Sequence, residues 1–200
     1  MNTINIVREQ IVESILLRQE MISNDYFIDQ IIALSSRVIE SLKIGGKVIF
    51  AGNGGSFADA QHLAAEFTGR FVIDREPFNS VCLATNSSYI TAVGNDYNFD
   101  DIFERELKAI AKPNDIFIAL STSGNSKNII KAVNYAKSVN IYTFAFLGRD
   151  GGQINKLTPG IIIPSNSTAR IQELHITLGH ILCLLIDEQL SKSQSSGELK

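Results

Sequence analysis

The sequence predicts an α/β fold in which a five-stranded, mostly parallel sheet is covered by helices on both faces. Five short segments are apolar at nearly every position, which is typical of strands buried on both sides. Segments with helical periodicity lie between them, and this alternation favours a three-layer αβα sandwich. The predicted strands are Val48–Ala51, Ser80–Thr85, Asp115–Leu120, Ile141–Leu147 and Gly160–Pro164.

Two amphipathic helices are expected before the first strand, in residues 1–44, as part of the same folding unit. Their apolar stripes comprise Ile4, Val7, Ile11 and Ile15 in the first helix, and Ile28, Ile31, Ile32, Val38, Ile39 and Leu42 in the second. Gly45-Gly46 is expected to end the second helix. Stripes of this kind could simply cover the sheet.

The remaining helices are predicted between and after the strands, within an α/β domain at 45–190. They are Phe57–Gly69, Phe99–Ala111, Lys127–Ser138 and a long final helix, Thr168–Gln189, which follows a run of good N-cap residues. The polar range 191–200 is expected to be disordered.

Composition restricts the functional classes. The 200-residue chain is 44% hydrophobic and has a formal net charge of -3 without blocks of like charge, so nucleic-acid and anionic-membrane binding are not expected. No apolar stretch approaches the roughly 20 residues that span a bilayer, and charged residues interrupt the N-terminal apolar runs, so we expect a cytoplasmic protein. Cys82 and Cys183 are expected to be buried free thiols.

A glycine-rich turn follows the first predicted strand. The turn, Gly52–Ser56, leads into an Ala-rich helix. Glycines let backbone N–H groups approach a ligand closely, and a helix N-terminus carries partial positive charge, so the turn is typical of an anion-binding site. His62 and Glu66 share a face of that helix and could form an acid/base or metal-binding pair, although their spacing alone is a weak signal.

A serine-rich loop follows the third predicted strand. Ser121, Thr122, Ser123 and Ser126 surround Gly124 at the start of a helix. Hydroxyls and free backbone N–H groups together form a neutral cradle for phosphate. A capped helix needs only one such residue, so phosphate binding is favoured over capping alone. No Gly-Lys-Ser/Thr ends the loop, which argues against nucleoside triphosphate hydrolysis.

A third polar segment, Gly94–Tyr97, is expected to form a loop above the sheet. Asn95 and Asp96 could hydrogen-bond to sugar hydroxyls. Asp96 could equally cap the helix predicted at Phe99–Ala111, and the spacing does not decide between these interpretations.

The last helix carries Gln172 and His180, together with His175, which we interpret as structural. Gln172 and His180 are separated by about 12 Å along a straight helix, so both could reach one metal only if their side chains lean together. The alternative is that a neighbouring subunit supplies one of them. With His62 and Glu66 they offer enough nitrogen and oxygen donors for a zinc-like ion.

These segments together resemble the sugar isomerase (SIS) domain family, and within it the phosphoheptose isomerases. The resemblance spans nearly the whole chain in matching order. It rests on Ala51–Ser56, Ala58–His62 with Glu66, Thr91–Tyr97, Ser121–Ser126, and Arg170–Glu173 with His175 and His180. It implies a flavodoxin-like SIS domain that interconverts sedoheptulose 7-phosphate and D-glycero-D-manno-heptose 7-phosphate, for lipopolysaccharide core or capsule.

The resemblance also implies roles for individual residues. Glu66 and His180 match the family's acid/base pair. The implied zinc ligands, one ion per subunit, are His62, Glu66, Gln172 and His180. The implied substrate contacts are Asn53, Gly54, Gly55, Glu66, Asn95, Asp96 and Gln172, with the phosphate held by Ser121, Thr122, Ser123 and Ser126. A homotetramer with the N-terminal helices in the assembly is implied as well.

Aldose–ketose isomerisation moves a proton between C1 and C2 through an enediol. We expect Glu66 to remove the carbon-bound proton and His180 to act at oxygen, although a carboxylate held by zinc is a poor free base. The competing hypothesis is a non-catalytic regulator similar to the DnaA initiator-associating protein, and a third is an isomerase of another phosphosugar. The presence of all four polar site residues favours the enzyme.

Overall fold

The computed structural model describes residues 2–195, with side chains as far as Leu190. It confirms the α/β class and the five-stranded sheet. All neighbouring strands are parallel, in the order β2-β1-β3-β4-β5. The strands are β1 (Val48–Ala51), β2 (Ser80–Cys82), β3 (Ile116–Ser121), β4 (Tyr142–Gly148) and β5 (Gly160–Ile163). This is the flavodoxin-like order, whose topological switch point lies between β1 and β3.

Seven α-helices accompany the sheet in the described residues. They are α1 (Thr3–Ser23), α2 (Asp25–Lys43), α3 (Gly55–Thr68), α4 (Ser87–Asp96), α5 (Ile102–Ile110), α6 (Lys127–Ser138) and α7 (Thr168–Ser195). The last helix is longer than predicted, because residues 191–195 contain no glycine or proline to end it. Residues 196–200, the remainder of the tail expected to be disordered, lie outside the described residues.

The prediction of a loop at Gly94–Tyr97 is wrong. Residues Ser87–Asp96 form α4, with the Asn86 side chain as its N-cap. The strand before it is also shorter than predicted. Ala84 has a φ of 62°, which turns the chain sharply soon after Cys82. Asp96 does not cap the next helical segment, because the Asn98 side chain accepts that hydrogen bond from the Asp100 N–H.

The sheet separates two hydrophobic cores. Helices α2, α3 and α7 cover one face, and α4, α5 and α6 cover the other. Along β1 the side chains alternate, with Val48 and Phe50 in the first core and Ile49 and Ala51 in the second. Both cysteines are buried and free as expected, and burial raises the pKa of each thiol to about 12.

Helix α7 corrects one expectation from composition. By length and apolarity alone, Thr168–Leu190 could cross a membrane. In this fold it is a core helix that packs against α2, α3 and β4 and buries the polar side chains of His175 and Asp187. Its apolar character is therefore explained by the hydrophobic core.

Helix α1 buries none of its residues within the chain. Its predicted apolar stripe is exposed to solvent, with Ile4, Val7 and Ile11 each more than half exposed. Helix α2 differs, because Ile31, Val38 and Ile39 are buried against the sheet while Ile28 and Ile32 are partly exposed. Covering the sheet thus explains much of the second stripe and none of the first.

Candidate active site

The two predicted anion-binding loops follow neighbouring strands at the switch point of the sheet. The glycine-rich turn comes after β1 and the serine loop after β3. A reciprocal amide pair joins them, in which the Asn53 Nδ2 donates to Asn128 Oδ1 and the Asn128 Nδ2 donates to Asn53 Oδ1, both at 2.9 Å. Asn128 is buried and sequence reasoning missed it, since its only signal is an amide in the first turn of α6.

The hydroxyl groups of the serine loop remain available for a ligand. Ser126 is the N-cap of α6 but makes no side-chain capping bond, so the capping alternative does not account for this hydroxyl. Its Oγ lies 3.2 Å from the Ser121 Oγ. The Ser123 Oγ accepts from the Asn125 N–H, which shapes the turn. Hydroxyls beside the N-terminus of a twelve-residue helix suit an anion, and the phosphate contact itself stays a prediction.

The imidazoles and the carboxylate converge on the outer side of α3 and α7. His62 Nε2 lies 3.1 Å from His180 Nε2 and 3.2 Å from Glu66 Oε1. One ligand atom from each of the three residues lies within 4.8 Å of the others. The side chain of His62 is half exposed, so the cluster is open to solvent or to another molecule.

The donor set of this cluster fits a zinc-like ion. An imidazole nitrogen presents either one N–H or one lone pair, so His62 Nε2 can satisfy both neighbours only by sharing one proton between them. A cation instead accepts one lone pair from each of the three atoms. A tetrahedral zinc with bonds of about 2.0–2.1 Å holds its ligand atoms roughly 3.3 Å apart. The two distances from His62 Nε2 are close to that spacing, and the third pair of atoms lies within 4.8 Å.

Gln172 lies elsewhere in the same chain. Its amide covers Gly55, where an added Cβ would be 2.5 Å from Gln172 Nε2. Gly55 begins α3, and His62 lies about 10 Å further along that helix at 1.5 Å per residue. Gln172 therefore belongs with the glycine-rich turn in the arrangement of a single chain, and His180 belongs with the cluster. The spacing along the helices therefore keeps Gln172 away from the other three residues of the implied zinc-ligand set.

Asn95 and Asp96 end α4, where both are exposed. The Asn95 Nδ2 donates to Asp96 Oδ1 at 2.9 Å. In the described part of the chain, no hydrogen bond or ion pair joins either side chain to the two loops or to the cluster. Their predicted contact with the substrate stays a prediction.

Asp59 is a further polar group that sequence reasoning left without a role. It lies on α3 one turn before His62, and its buried Oδ2 has no hydrogen-bond partner among the described residues. Burial raises the pKa of Asp59 to about 6, and nearby His62 opposes that rise. In the sequence, only its position one turn before His62 indicates that Asp59 lies near the cluster.

His175 is structural, as expected. It is fully buried, and its Nε2–H donates to the Leu147 carbonyl at 3.0 Å. Burial lowers the pKa of His175 to about 4, with the bond to Leu147 acting in the opposite direction. This histidine is therefore neutral in the folded chain at physiological pH.

We expect His175 to make the fold acid-sensitive. The unfolded residue takes up a proton near pH 6.5, while the folded residue does so only near pH 4. The free energy of unfolding should thus decrease as the pH is lowered from 6.5 to 4, by on the order of 3 kcal/mol from this group. Urea unfolding at pH 7 and pH 4.5 measures the fall. His175→Gln should show a smaller fall, and an equal one would contradict the assignment.

Sequence comparison identifies the family of the chain. Residues 12–148 match the SIS domain family. The phosphoheptose isomerase of Sulfurimonas denitrificans is 45% identical over 185 residues, covering 92% of this chain and 95% of that protein. The chain belongs to the phosphoheptose isomerase family. The Clostridium acetobutylicum phosphoheptose isomerase is 43% identical over 187 residues, 93% of this chain and 95% of that one.

Solved phosphoheptose isomerases have the same fold. The structure from Neisseria gonorrhoeae superposes with a TM-score of 0.87 at 37% identity, covering 94% of this chain and 100% of that one. The structure from Francisella tularensis gives a TM-score of 0.89 at 31% identity with the same coverage. As a member of the phosphoheptose isomerase family, the chain is an isomerase.

Proposed function

We propose that this chain interconverts sedoheptulose 7-phosphate and D-glycero-D-manno-heptose 7-phosphate. The observation that carries the proposal is the convergence of Glu66 and His180 from two distant segments. A carboxylate beside an imidazole suits proton transfer between carbon and oxygen. The names of the relatives support a heptose phosphate as the substrate.

In the proposed reaction the side chains move protons between C1, C2 and their oxygens. Glu66 removes a proton from C1 of the ketose while His180 protonates the C2 oxygen, which gives the enediol. A proton then returns to C2 as the proton on the C1 oxygen leaves, and the aldehyde forms. Each acid/base group contributes on the order of 10²–10⁴-fold in rate.

Substrate binding is assigned to the loops at the switch point. Ser121, Thr122, Ser123 and Ser126 hold the phosphate with the N-terminus of α6, far from the reacting carbons. Binding energy at the phosphate then helps to hold C1 and C2 in position. The proposed contacts to the sugar are Asn53, Gly54, Gly55, Asn95, Asp96 and Gln172.

The proposed metal is one zinc ion per subunit, held by His62, Glu66 and His180 with Gln172 as a fourth donor. Zinc polarises a carbonyl oxygen when it is bound. Metal analysis and an assay after chelation test this assignment. Full activity in a metal-free preparation would exclude zinc from the reaction.

We infer that a complete site needs a second copy of the chain. Within one chain Gln172 and the loops lie about two helical turns from the cluster. The open apolar stripe of α1 suits assembly between copies, and we propose a cytoplasmic homotetramer without nucleic-acid or membrane partners. One copy would supply the phosphate cradle and Gln172, and its neighbour would supply His62, Glu66 and His180.

Mixing two inactive variants tests this arrangement. Glu66→Gln removes the base, and Ser126→Asp repels phosphate while keeping a good N-cap for α6. Random co-assembly should restore about a quarter of the sites, because that fraction pairs an intact cradle with an intact cluster from another copy. Co-expressed variants that stay inactive would contradict a shared site.

The function itself is tested by following conversion of sedoheptulose 7-phosphate with purified protein. Turnover of the heptose phosphate in preference to pentose and hexose phosphates supports the assignment. Turnover of only a shorter sugar phosphate would leave the isomerase chemistry in place and refute the substrate.

A further inference from the structure

The ring of His180 is oriented by other rings. In the described part of the chain its Nδ1 makes no hydrogen bond, whereas a metal-binding histidine usually donates that N–H to a carboxylate or a carbonyl. The Phe71 ring instead stacks on it, with centroids 5.5 Å apart and an interplanar angle of 28°. His62 meets it edge-on at 5.2 Å. Packing by Phe71 therefore takes the place of the usual hydrogen bond.

Phe71 lies in the connection from α3 to β2, which has no regular secondary structure there. Asp187 of α7 holds this segment. Its Oδ2 accepts hydrogen bonds from the backbone N–H groups of Val72 and Ile73 at 3.1 and 3.2 Å. Its Oδ1 accepts from Arg75 Nε at 2.6 Å, and both charged side chains are almost fully buried. The position of Phe71 is thus fixed by the residues that follow it.

The same ion pair reaches the helix that carries Glu66. Arg75 Nη2 donates to the Glu66 carbonyl and Nη1 to the Phe67 carbonyl, both at 3.0 Å. A guanidinium suits these carbonyls at the end of α3, because the C-terminus of a helix carries partial negative charge. Arg75 and Asp187 therefore tie together the end of α3, the middle of α7 and the Phe71 segment.

We propose that Phe71 is a positioning residue for His180, and that the Arg75–Asp187 pair holds it in place. This inference rests on the proposed function, because the kcat measured in its test is that of the proposed isomerisation. A buried ion pair adds little net stability compared with apolar packing, but breaking one is costly, so such a pair can fix a geometry. Here it fixes the direction in which His180 Nε2 faces His62 and Glu66.

Three single variants test the role of Phe71. Phe71→Leu keeps an apolar side chain but removes the flat ring, and it should lower kcat about tenfold with KM changed less than twofold, since small displacements of a reacting group are costly. It should also weaken zinc binding, measured by competition with a chelator. Phe71→Tyr should restore both values. Val72→Ala, at an exposed neighbouring position, is the matched control and should resemble the wild type.

A double-mutant cycle tests the ion pair. Arg75→Lys keeps the charge and loses the fork that spans the two carbonyls. If it acts through Phe71, the losses in kcat of Arg75→Lys and Phe71→Leu should not multiply in the double variant. Multiplied losses would overturn the role of the pair.

Wild-type kcat and zinc affinity in Phe71→Leu would overturn the role of Phe71. An inactive wild type would instead refute the proposed function. In that case, weaker zinc binding in Phe71→Leu that Phe71→Tyr restores would still support the positioning role, and unchanged binding would refute it.

Discussion

Glu66→Gln is expected to lower kcat by about 10²–10⁴-fold, the range for loss of one acid/base group. Glutamine keeps the shape of the side chain but cannot accept the carbon-bound proton. The fold should persist, because Glu66 is only part-buried and its carbonyl still accepts from Arg75. Steady-state kinetics and circular dichroism on the same preparation measure both quantities. Glu76→Gln, an exposed carboxylate in the following segment, is the control.

His180→Gln should show a comparable loss, and α7 supplies its own matched control. His175→Gln changes the same residue type on the same helix, but at a buried position bonded to Leu147 rather than in the cluster. It should alter stability and leave kcat within a few-fold of wild type. Near-native rates in both Glu66→Gln and His180→Gln would contradict the acid/base assignment.

Zinc content separates the two roles of Glu66. If the carboxylate acts mainly as a ligand, Glu66→Gln should lose metal along with activity, and added zinc should restore part of the rate. If it acts mainly as the base, the variant should retain metal and stay inactive. His62→Gln provides the comparison, since His62 is proposed as a ligand only.

The sheet was predictable because its strands are buried on both faces. That burial demands apolar residues at consecutive positions, and the core strands, such as β1 and β3, stand out for this reason. The glycine-rich turn and the serine loop were predictable because they directly follow those strands. In an open parallel sheet, that position fixes the edge at which they lie.

What escaped prediction depends on contacts between distant residues. Strand β2 ends early because Ala84 turns the chain, and its N–H is bound by the carboxylate of Glu106, 22 positions later. The pairing of Asn53 with Asn128 joins two loops that are separated by 75 positions. No pattern among neighbouring residues in the sequence predicts either contact. Helix α4 was missed because a polar, glycine-containing segment is typical of a loop until its N-cap is seen.

The spacing of Gln172 and His180 was predictable and proves decisive. Eight helical residues separate the two backbones by about 12 Å, and the structure leaves the side chains on different partners, with Gln172 on Gly55 and His180 on His62. The ligand set proposed for zinc is therefore divided between two places in a single chain. The resemblance to a family implied the ligand set, whereas the place of Gln172 against Gly55 depends on how α3 packs on α7.

Gly124→Ala is expected to disable the phosphate cradle. Gly124 has a φ of +63°, and a Cβ there would lie 2.0 Å from the Gly151 carbonyl oxygen, so a neighbouring backbone would have to move. The strained conformation alone costs on the order of 1–3 kcal/mol. The loops after β3 and β4 should separate, since the Gly124 carbonyl also accepts from the Ile154 N–H at 3.0 Å. We expect KM for the sugar phosphate to rise by about tenfold or more.

Gly94→Ala provides the matched control. Gly94 lies within α4 with ordinary backbone angles, and a Cβ there meets no atom within 4 Å. Alanine is favoured over glycine in a helix by about 1 kcal/mol, so this variant should be as stable as the wild type or more so. Inhibition by inorganic phosphate distinguishes a damaged cradle from general destabilisation. Gly124→Ala should lose that inhibition at temperatures where it remains folded, and retained inhibition would place the phosphate elsewhere.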